Sequence, residues 1–301
     1  MKPLKRFAII NAQMKTKKKP EKTIPLDECT AVMTPLGTGG WIPAHGRQTA
    51  SYVFQKDELM VILDFGTGIA RLLDEFDYLL TDVDRIIGFL SHYHPDHTIG
   101  LSYLPAFLGQ RQLELYGPGK GIYEKSTKEI LADMFQPPIM PRNLEDFLPT
   151  TKIRDIPLEG MKIDGIDFSF RIQRKHIHPT VAIRIGDHLA YCTDTEPEYE
   201  TIGFARGVNL LLQEVWNEDK SFDPEISSAS LKRIIGTLGK DGHSSNVGAA
   251  LIAREARVGE IMTIHHHPLN SNIVVSRMAL SVGGLATVEM HSCEDEVSEN
   301  C

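Results

Sequence analysis

The densest chemistry in this chain lies in one heptapeptide, Ser91-His-Tyr-His-Pro-Asp-His97, which gathers three imidazoles and a carboxylate. Histidine makes up 12 of 301 residues, so chance is a poor explanation for that grouping. Imidazole and carboxylate together suit a divalent transition metal, whereas a structural zinc site more usually shows cysteines. The four cysteines (Cys29, Cys192, Cys293 and Cys301) lie far apart without C-x-x-C spacing, which argues against a zinc ribbon or a disulfide framework and points to reduced thiols. One loop cannot close a metal site alone, so further ligands must come from elsewhere. His176 and His178, Asp194, and the triplet His265, His266 and His267 all follow or end strand-like segments.

The elements that must position these residues can be read from hydrophobic periodicity. The apolar run Ile86–Leu90 is a buried-strand pattern that ends directly in the histidine loop. Upstream, a strand at Ala31–Thr34 runs into Gly37-Thr-Gly-Gly40. That loop lacks the third glycine and the following helix of a dinucleotide fingerprint. Ser51–Phe54 and Leu59–Leu63 form a hairpin closed by Asp64, and Gly68–Leu80 has helical spacing. After the motif come a helix at 98–108, a strand at Leu113–Tyr116 and a helix at Gly121–Phe135 that stops at Pro137-Pro138. The proline-rich stretch 136–149 is either a connector between halves or a lid over a site. The second half opens with Ile153–Ile156, a Lys162–Phe170 hairpin, Val181–Ile185 and Leu189–Cys192, a mainly antiparallel pattern. A buried strand at Val208–Val215, helices at Ser227–Leu238 and Ser245–Arg257, and a strand at Glu260–Ile264 lead to His265. Both halves run from strands into helices, as two packed αβ halves do.

Over residues 31–270 the chain resembles the metallo-β-lactamase superfamily, in its phosphodiesterase and ribonuclease Z-like branch. The residues that carry this are Gly37-Thr-Gly-Gly40, Leu63-Asp-Phe-Gly-Thr-Gly68, the His92–His97 motif, His176-Ile-His-Pro179, Tyr191-Cys-Thr-Asp-Thr195, Gly242-His-Ser-Ser245 and His265-His-His-Pro268, in the family's order. The resemblance implies an α/β fold, a four-layer αβ/βα sandwich of two mixed sheets flanked by helices. It assigns His92, His94 and His176 to a first metal, Asp96, His97 and His265 to a second, and Asp194 to both. Seven ligands with one shared carboxylate leave each ion an open position for a bridging hydroxide at a separation of about 3.5–4 Å, with the pKa of that water lowered toward about 7. Zinc is the first expectation for the two divalent ions, with manganese or iron as alternatives.

The family places proline three residues after two of these ligands, which favours His176 over His178 (Pro179) and His265 over His266 and His267 (Pro268). His178, His266, His267 and His291 then read as surface or supporting histidines. Asp64 matches a residue that holds the ligand loop, with a turn-forming aspartate before Gly66 as the plainer alternative. Cys192 reads as a small buried residue and not as a ligand. Asp96 and His243 form the expected catalytic set. His243 donates a proton or hydrogen bond to the phosphate in this reading, against an alternative role as a helix-capping or structural residue.

Length and composition frame the rest. The chain is long enough to bury a full core and divides into a basic arm at 1–30 (Lys15, Lys17, Lys18, Lys19, Lys22), a hydrolase domain at 31–290 and an acidic tail at 291–301. Hydrophobic content of 42% with 24% charged residues fits a soluble protein. No apolar run approaches a membrane span and nothing resembles a secretory signal, so a cytoplasmic protein with no membrane partner is expected. A net charge of −8 argues against a broad nucleic-acid surface, and the lysine run reads as a solvated arm in preference to an RNA contact. The expected activity is hydrolysis of a phosphodiester in a cyclic nucleotide or short oligonucleotide. Processing of tRNA ends fits less well, because ribonuclease Z enzymes commonly carry a long arm between motifs that here correspond to His176 and Asp194, only eighteen residues apart. Hydrolysis of a thioester or lactone on the same metals, and non-catalytic binding of an anionic ligand, are the alternatives. A homodimer through the arm or through 117–150 remains open.

Overall fold

The structure, a computed structural model, describes residues 8–9, 31–220, 228–287 and 289–292. The lysine run, the acidic run at 294–296, Cys29, Cys293 and Cys301 lie outside the described residues. The first sheet comprises β1 (Ala8–Ile9), β2 (Val32–Gly37), β3 (Ser51–Lys56), β4 (Leu59–Leu63), β5 (Arg85–Phe89), β6 (Gln112–Gly117) and β7 (Thr151–Asp155), in that spatial order. β2, β3 and β4 are antiparallel neighbours, and β4 to β7 run parallel. Two residues of the segment read as a free basic arm thus pair with Val32 and Met33 and extend this sheet. Side chains alternate across it: Val61 and Leu63 face the second sheet, while Met60 and Ile62 face the outer layer.

That outer layer contains 3₁₀ segments at Thr67–Leu73, Asp77–Leu80 and Ile99–Ala106 and three helices, α1 (Pro95–Thr98), α2 (Thr127–Met134) and α3 (Leu144–Phe147). Helical spacing at Gly68–Leu80 and 98–108 therefore reports burial of one face, not a full α-helix. Pro105, which cannot donate a backbone hydrogen bond, sits inside the second of these segments. α2 starts six residues later than the sequence suggests because Ser126 and Glu129 form a reciprocal capping box, a strong start signal. Leu144 and Leu148 bury in the outer layer, so the 136–149 stretch works as a connector that returns the chain to the sheet edge. There β7 pairs in parallel with β6, from Leu113↔Thr151 to Gly117↔Asp155. It completes the first sheet and does not open the second, as a crossover connection requires.

The second sheet contains β8 (Met161–Ile163), β9 (Ile166–Gln173), β10 (Thr180–Ile185), β11 (Leu189–Cys192) and β12 (Leu210–Glu214). A separate small hairpin, β13 (Gly239–Lys240) and β14 (His243–Ser244), precedes β15 (Glu260–Ile264) and β16 (Glu289–Ser292), which complete the sheet in the order β16-β15-β12-β11-β10-β9-β8. Only β8 to β11 are antiparallel; β11, β12, β15 and β16 run parallel. Helices α4 (Tyr199–Phe204), α5 (Ser228–Ile235), α6 (Asn246–Ala256) and α7 (Asn272–Ala286) lie on its outer side, where Ile252, Val275, Met278 and Val282 pack against Leu211 and Ile261. The two inner faces meet through Tyr52, Leu63 and Phe89 on one side and Phe168, Ile183, Tyr191 and Leu212 on the other. The result is the four-layer αβ/βα sandwich. Among the described residues no helix is long and apolar enough to cross a membrane.

Candidate metal centre

Strand direction decides where the polar side chains converge. β4 and β5 run parallel in one sheet; β9, β11, β12 and β15 run the same way in the other. Their carboxyl-terminal ends carry Asp64, the His92–His97 loop, His176, Asp194, Glu214 and His265. Asp64, Asp194 and His265 all adopt left-handed backbone conformations, with φ of 58°, 47° and 53°. Aspartate and histidine tolerate that region better than most residues, and such outliers cluster at functional sites. Each turns the chain sharply as its strand ends.

The side chains form two adjoining groups whose nitrogen and oxygen atoms could hold a metal ion, His92, His94, His176 and Asp194 in one and Asp96, His97 and His265 in the other. In the second group His265 Nε2 lies 3.2 Å from both Asp96 Oδ2 and His97 Nε2. Asp194 Oδ2 faces this group, 3.1 Å from His97 Nε2 and 3.3 Å from His265 Nε2. Its other oxygen, Oδ1, faces the first group, 3.8 Å from His92 Nε2 and from His176 Nε2. His94 joins through Nδ1, 3.4 Å from His176 Nε2. One carboxylate thus presents an oxygen to each group, the arrangement a shared ligand needs.

Divalent ions fit this donor set. His92 Nε2 is buried without a hydrogen-bond partner, an expensive state for a polar atom unless something coordinates it. Burial, with neighbouring imidazoles, holds His92 and His94 below the ordinary histidine pKa, and burial does the same for His176, so these rings keep a lone pair to offer. At His97 burial opposes protonation, but the Asp194, Asp96 and Asp64 carboxylates outweigh it and raise the pKa well above ordinary. That concentration of buried negative charge calls for a cation.

Supporting contacts fix each ring. Buried Asp64 accepts from the Ser91 amide (2.6 Å) and hydroxyl (2.7 Å), the Tyr191 hydroxyl (2.6 Å) and His97 Nδ1 (2.7 Å). Since Ser91 gives its only hydroxyl proton to Asp64, its oxygen accepts from His92 Nδ1 at 3.0 Å, which leaves His92 Nε2 free to bind. Asp64 therefore orients one ring in each group, which a simple turn-forming aspartate does not do. His176 Nδ1 bonds the Gly242 carbonyl (3.1 Å), and His94 Nε2 meets His178 Nδ1 (3.3 Å). Glycine is required at 242, where φ is +85° and a Cβ would stand 2.8 Å from His176 Nδ1. It is required at 40 too, where a Cβ would come within 2.5 Å of His265 and 2.6 Å of Trp216.

His266 is fully buried with Nδ1 3.2 Å from the Val215 carbonyl, and His267 Nδ1 accepts from the Leu269 amide. Neither joins the two groups, whereas His265 does. Cys192 is buried with burial lifting its thiol to about 12, and it stays outside both groups. His291 lies in β16, among residues whose side chains are not described.

His243 sits beside both groups, its ring 5.0 Å from that of His176 and 5.7 Å from that of His265, stacked on Trp216 at 4.3 Å. Its Nδ1 meets Glu214 Oε1 at 3.0 Å. Burial opposes a charge there, yet the Glu214 carboxylate lifts the imidazole to about 9. The helix cap belongs to its neighbour: Ser245 caps α6 by accepting from the Gly248 amide. Glu214 and Trp216 were not anticipated. A charged residue closing the strand that begins Leu210-Leu-Leu212, as Asp64 closes Leu59–Leu63, was the available signal. Glu214 is fully buried and also accepts from the amides of Ser244 (2.7 Å) and Thr195 (3.3 Å). Trp41 was likewise missed; its amide donates to Asp96 Oδ2 at 2.6 Å.

Comparison with known proteins places this geometry. Residues 31–230 match the family described as anti-Pycsar protein Apyc1. The chain belongs to that family. It is 25% identical over 275 residues to a ribonuclease Z of Thermoplasma acidophilum, covering 77% of this chain and 85% of that protein. It is 27% identical over 264 residues to the probable metallo-hydrolase YhfI of Bacillus subtilis, covering 80% and 90%. The crystal structure of the metallo-β-lactamase fold protein YhfI from Bacillus subtilis superposes with a TM-score of 0.66 at 21% identity, covering 89% of this chain and 97% of that one. The chain is a metal-dependent hydrolase of the metallo-β-lactamase fold, in its ribonuclease Z-like branch.

Proposed function

We propose that the chain is a phosphodiesterase with a dinuclear centre, acting on a cyclic nucleotide or a short nucleic-acid phosphodiester. His92, His94 and His176 would hold one ion, Asp96, His97 and His265 the other, and Asp194 both, with zinc the first expectation. When bound, such a pair supplies an activated water and neutralises charge on the phosphate oxygens.

The observation that carries the proposal is the Glu214–His243–Trp216 arrangement. Glu214 accepts from His243 Nδ1 and so leaves the proton on Nε2 as the one available for donation, while the Trp216 ring fixes the plane of the imidazole. A ring oriented by the buried Glu214 carboxylate beside both groups suits donation to the oxygen that leaves phosphorus. Asp96 combines a place in the second group with the hydrogen bond from Trp41, which ties the glycine loop to the centre. The segment between His176 and Asp194 contains little more than β10 and β11, with no inserted arm, and this favours a small substrate over a tRNA.

The test is hydrolysis of bis-p-nitrophenyl phosphate against thioester and lactone substrates by metal-loaded protein, with bound metal quantified and His94→Ala as control. Phosphodiester cleavage lost in the control is expected. Turnover confined to thioesters or lactones, or metal binding without any turnover, would overturn the reading.

A further inference from the structure

The two groups leave one nitrogen of His265 unused. His265 is 1% exposed, and its Nδ1 is buried without a hydrogen-bond partner. A buried polar atom in that state calls for an explanation. It faces Glu214 Oε2 at 3.7 Å, too far for a hydrogen bond. The other oxygen of the same carboxylate, Oε1, lies 3.0 Å from His243 Nδ1. Together with Asp194 these side chains form a further set whose nitrogen and oxygen atoms are close enough to hold an ion.

The surroundings fix all three side chains. Glu214 is fully buried, with Oε1 accepting from the Ser244 amide (2.7 Å) and Oε2 from the Thr195 amide (3.3 Å). The His243 and His265 rings lie nearly parallel, at 19° and 5.7 Å. Both stack on Trp216, at 4.3 Å and 5.2 Å. Rings on opposite faces of an indole would stand about 7 Å apart, twice an ordinary carbon contact, so these two sit side by side on one face. From there each turns its Nδ1 toward a different oxygen of Glu214.

We propose that Glu214, His243 and His265 form a third, inhibitory cation seat, filled above two ions per chain. Two imidazoles and a carboxylate are donors that zinc accepts. Because His265 already serves the second group, this seat is the weakest of the three. An ion there replaces the protons on the two Nδ1 atoms, which pass to solvent. Glu214 then binds the ion and no longer accepts from His243, so the ring loses the carboxylate that orients it for donation. The seat stands apart from the phosphodiesterase reading, and only its inhibitory effect rests on that reading.

Calorimetric titration of metal-free protein with zinc, alongside quantification of bound metal, tests the seat. Native protein should bind a third ion after two tighter ones. His243→Ala and Glu214→Gln should each lose the third ion and retain two, and that retention reports an intact centre. Only two ions on native protein in excess zinc, or a third that persists in either variant, would overturn the seat. Phosphodiester turnover by native protein should fall about 10²-fold as the third ion binds, the low end for loss of a general acid. Unchanged turnover would overturn the inhibitory role. If native protein cleaves no phosphodiester, the phosphodiesterase reading fails separately and the ion count still decides the seat.

Discussion

The imidazoles of His97 and His265 lie 3.1–3.5 Å from the Asp96 and Asp194 Oδ2 atoms, whereas His92 and His176 Nε2 stand 3.8 Å from Asp194 Oδ1 and His94 Nδ1 reaches no closer than His176, at 3.4 Å. The support differs in the same sense. Behind the tighter group stand carboxylates, Asp64 bonded to His97 and Glu214 3.7 Å from His265 Nδ1. Behind the looser group stand a hydroxyl, a carbonyl and an imidazole, those of Ser91, Gly242 and His178. A carboxylate behind an imidazole makes it a stronger donor. The second group should therefore hold an ion more firmly, and the first, beside the hollow pocket lined by Tyr93, Tyr123 and Ile130, should release one more readily.

The largest effect should come from breaking what the two groups share. Asp194→Ala removes an oxygen from each, so metal analysis is expected to show loss of both ions and turnover is expected at background. Retention of one tightly held ion would mean that Asp194 serves a single group. His243→Ala should come next, slowing phosphodiester cleavage by about 10²–10⁴-fold with both ions still bound. Loss of one of these two in that variant would instead place His243 among their ligands.

Much of this centre was legible in the chain because its residues end apolar strands, and a strand of known length delivers the next residue to one edge of the sheet. The His92–His97 loop, Asp194 and His265 follow that rule, whereas His176 comes three residues after β9, whose burial alternates. Glu214 follows the rule too, but a lone glutamate after three leucines and a glutamine looks like an ordinary strand end until its contact with His243 is visible. The choice among His265, His266 and His267 depends on a left-handed turn at His265, which periodicity does not report. The same limit explains β7. Its alternating burial suits an edge strand of either sheet, and only the crossover through α2 and α3 assigns it to the first. α7 was overlooked although Val275, Met278, Ala279, Val282 and Ala286 carry a helical stripe.

Asp64→Asn tests the support of the tighter group. The amide keeps the shape but can no longer accept from all four donors, so the second ion should bind about 10–100-fold more weakly while the first loses less. Competition with a chelator, followed by metal quantification, separates the two steps. Equal weakening of both ions would show that the Ser91 bridge transmits as much as the direct bond to His97.

Ser91→Ala should have the smallest effect and sharpens the comparison most. It removes the acceptor for His92 Nδ1 and one donor to Asp64, yet leaves Tyr191, the amide of residue 91 and His97 on that carboxylate. The first ion is expected to weaken by about tenfold, at the low end for an outer contact of a ligand, with the second unchanged. Ser91→Thr retains a hydroxyl and should recover most of the affinity. If Ser91→Ala instead released the second ion first, the order of firmness inferred from spacing and support would be reversed, and the pocket side of the centre would be its anchored half.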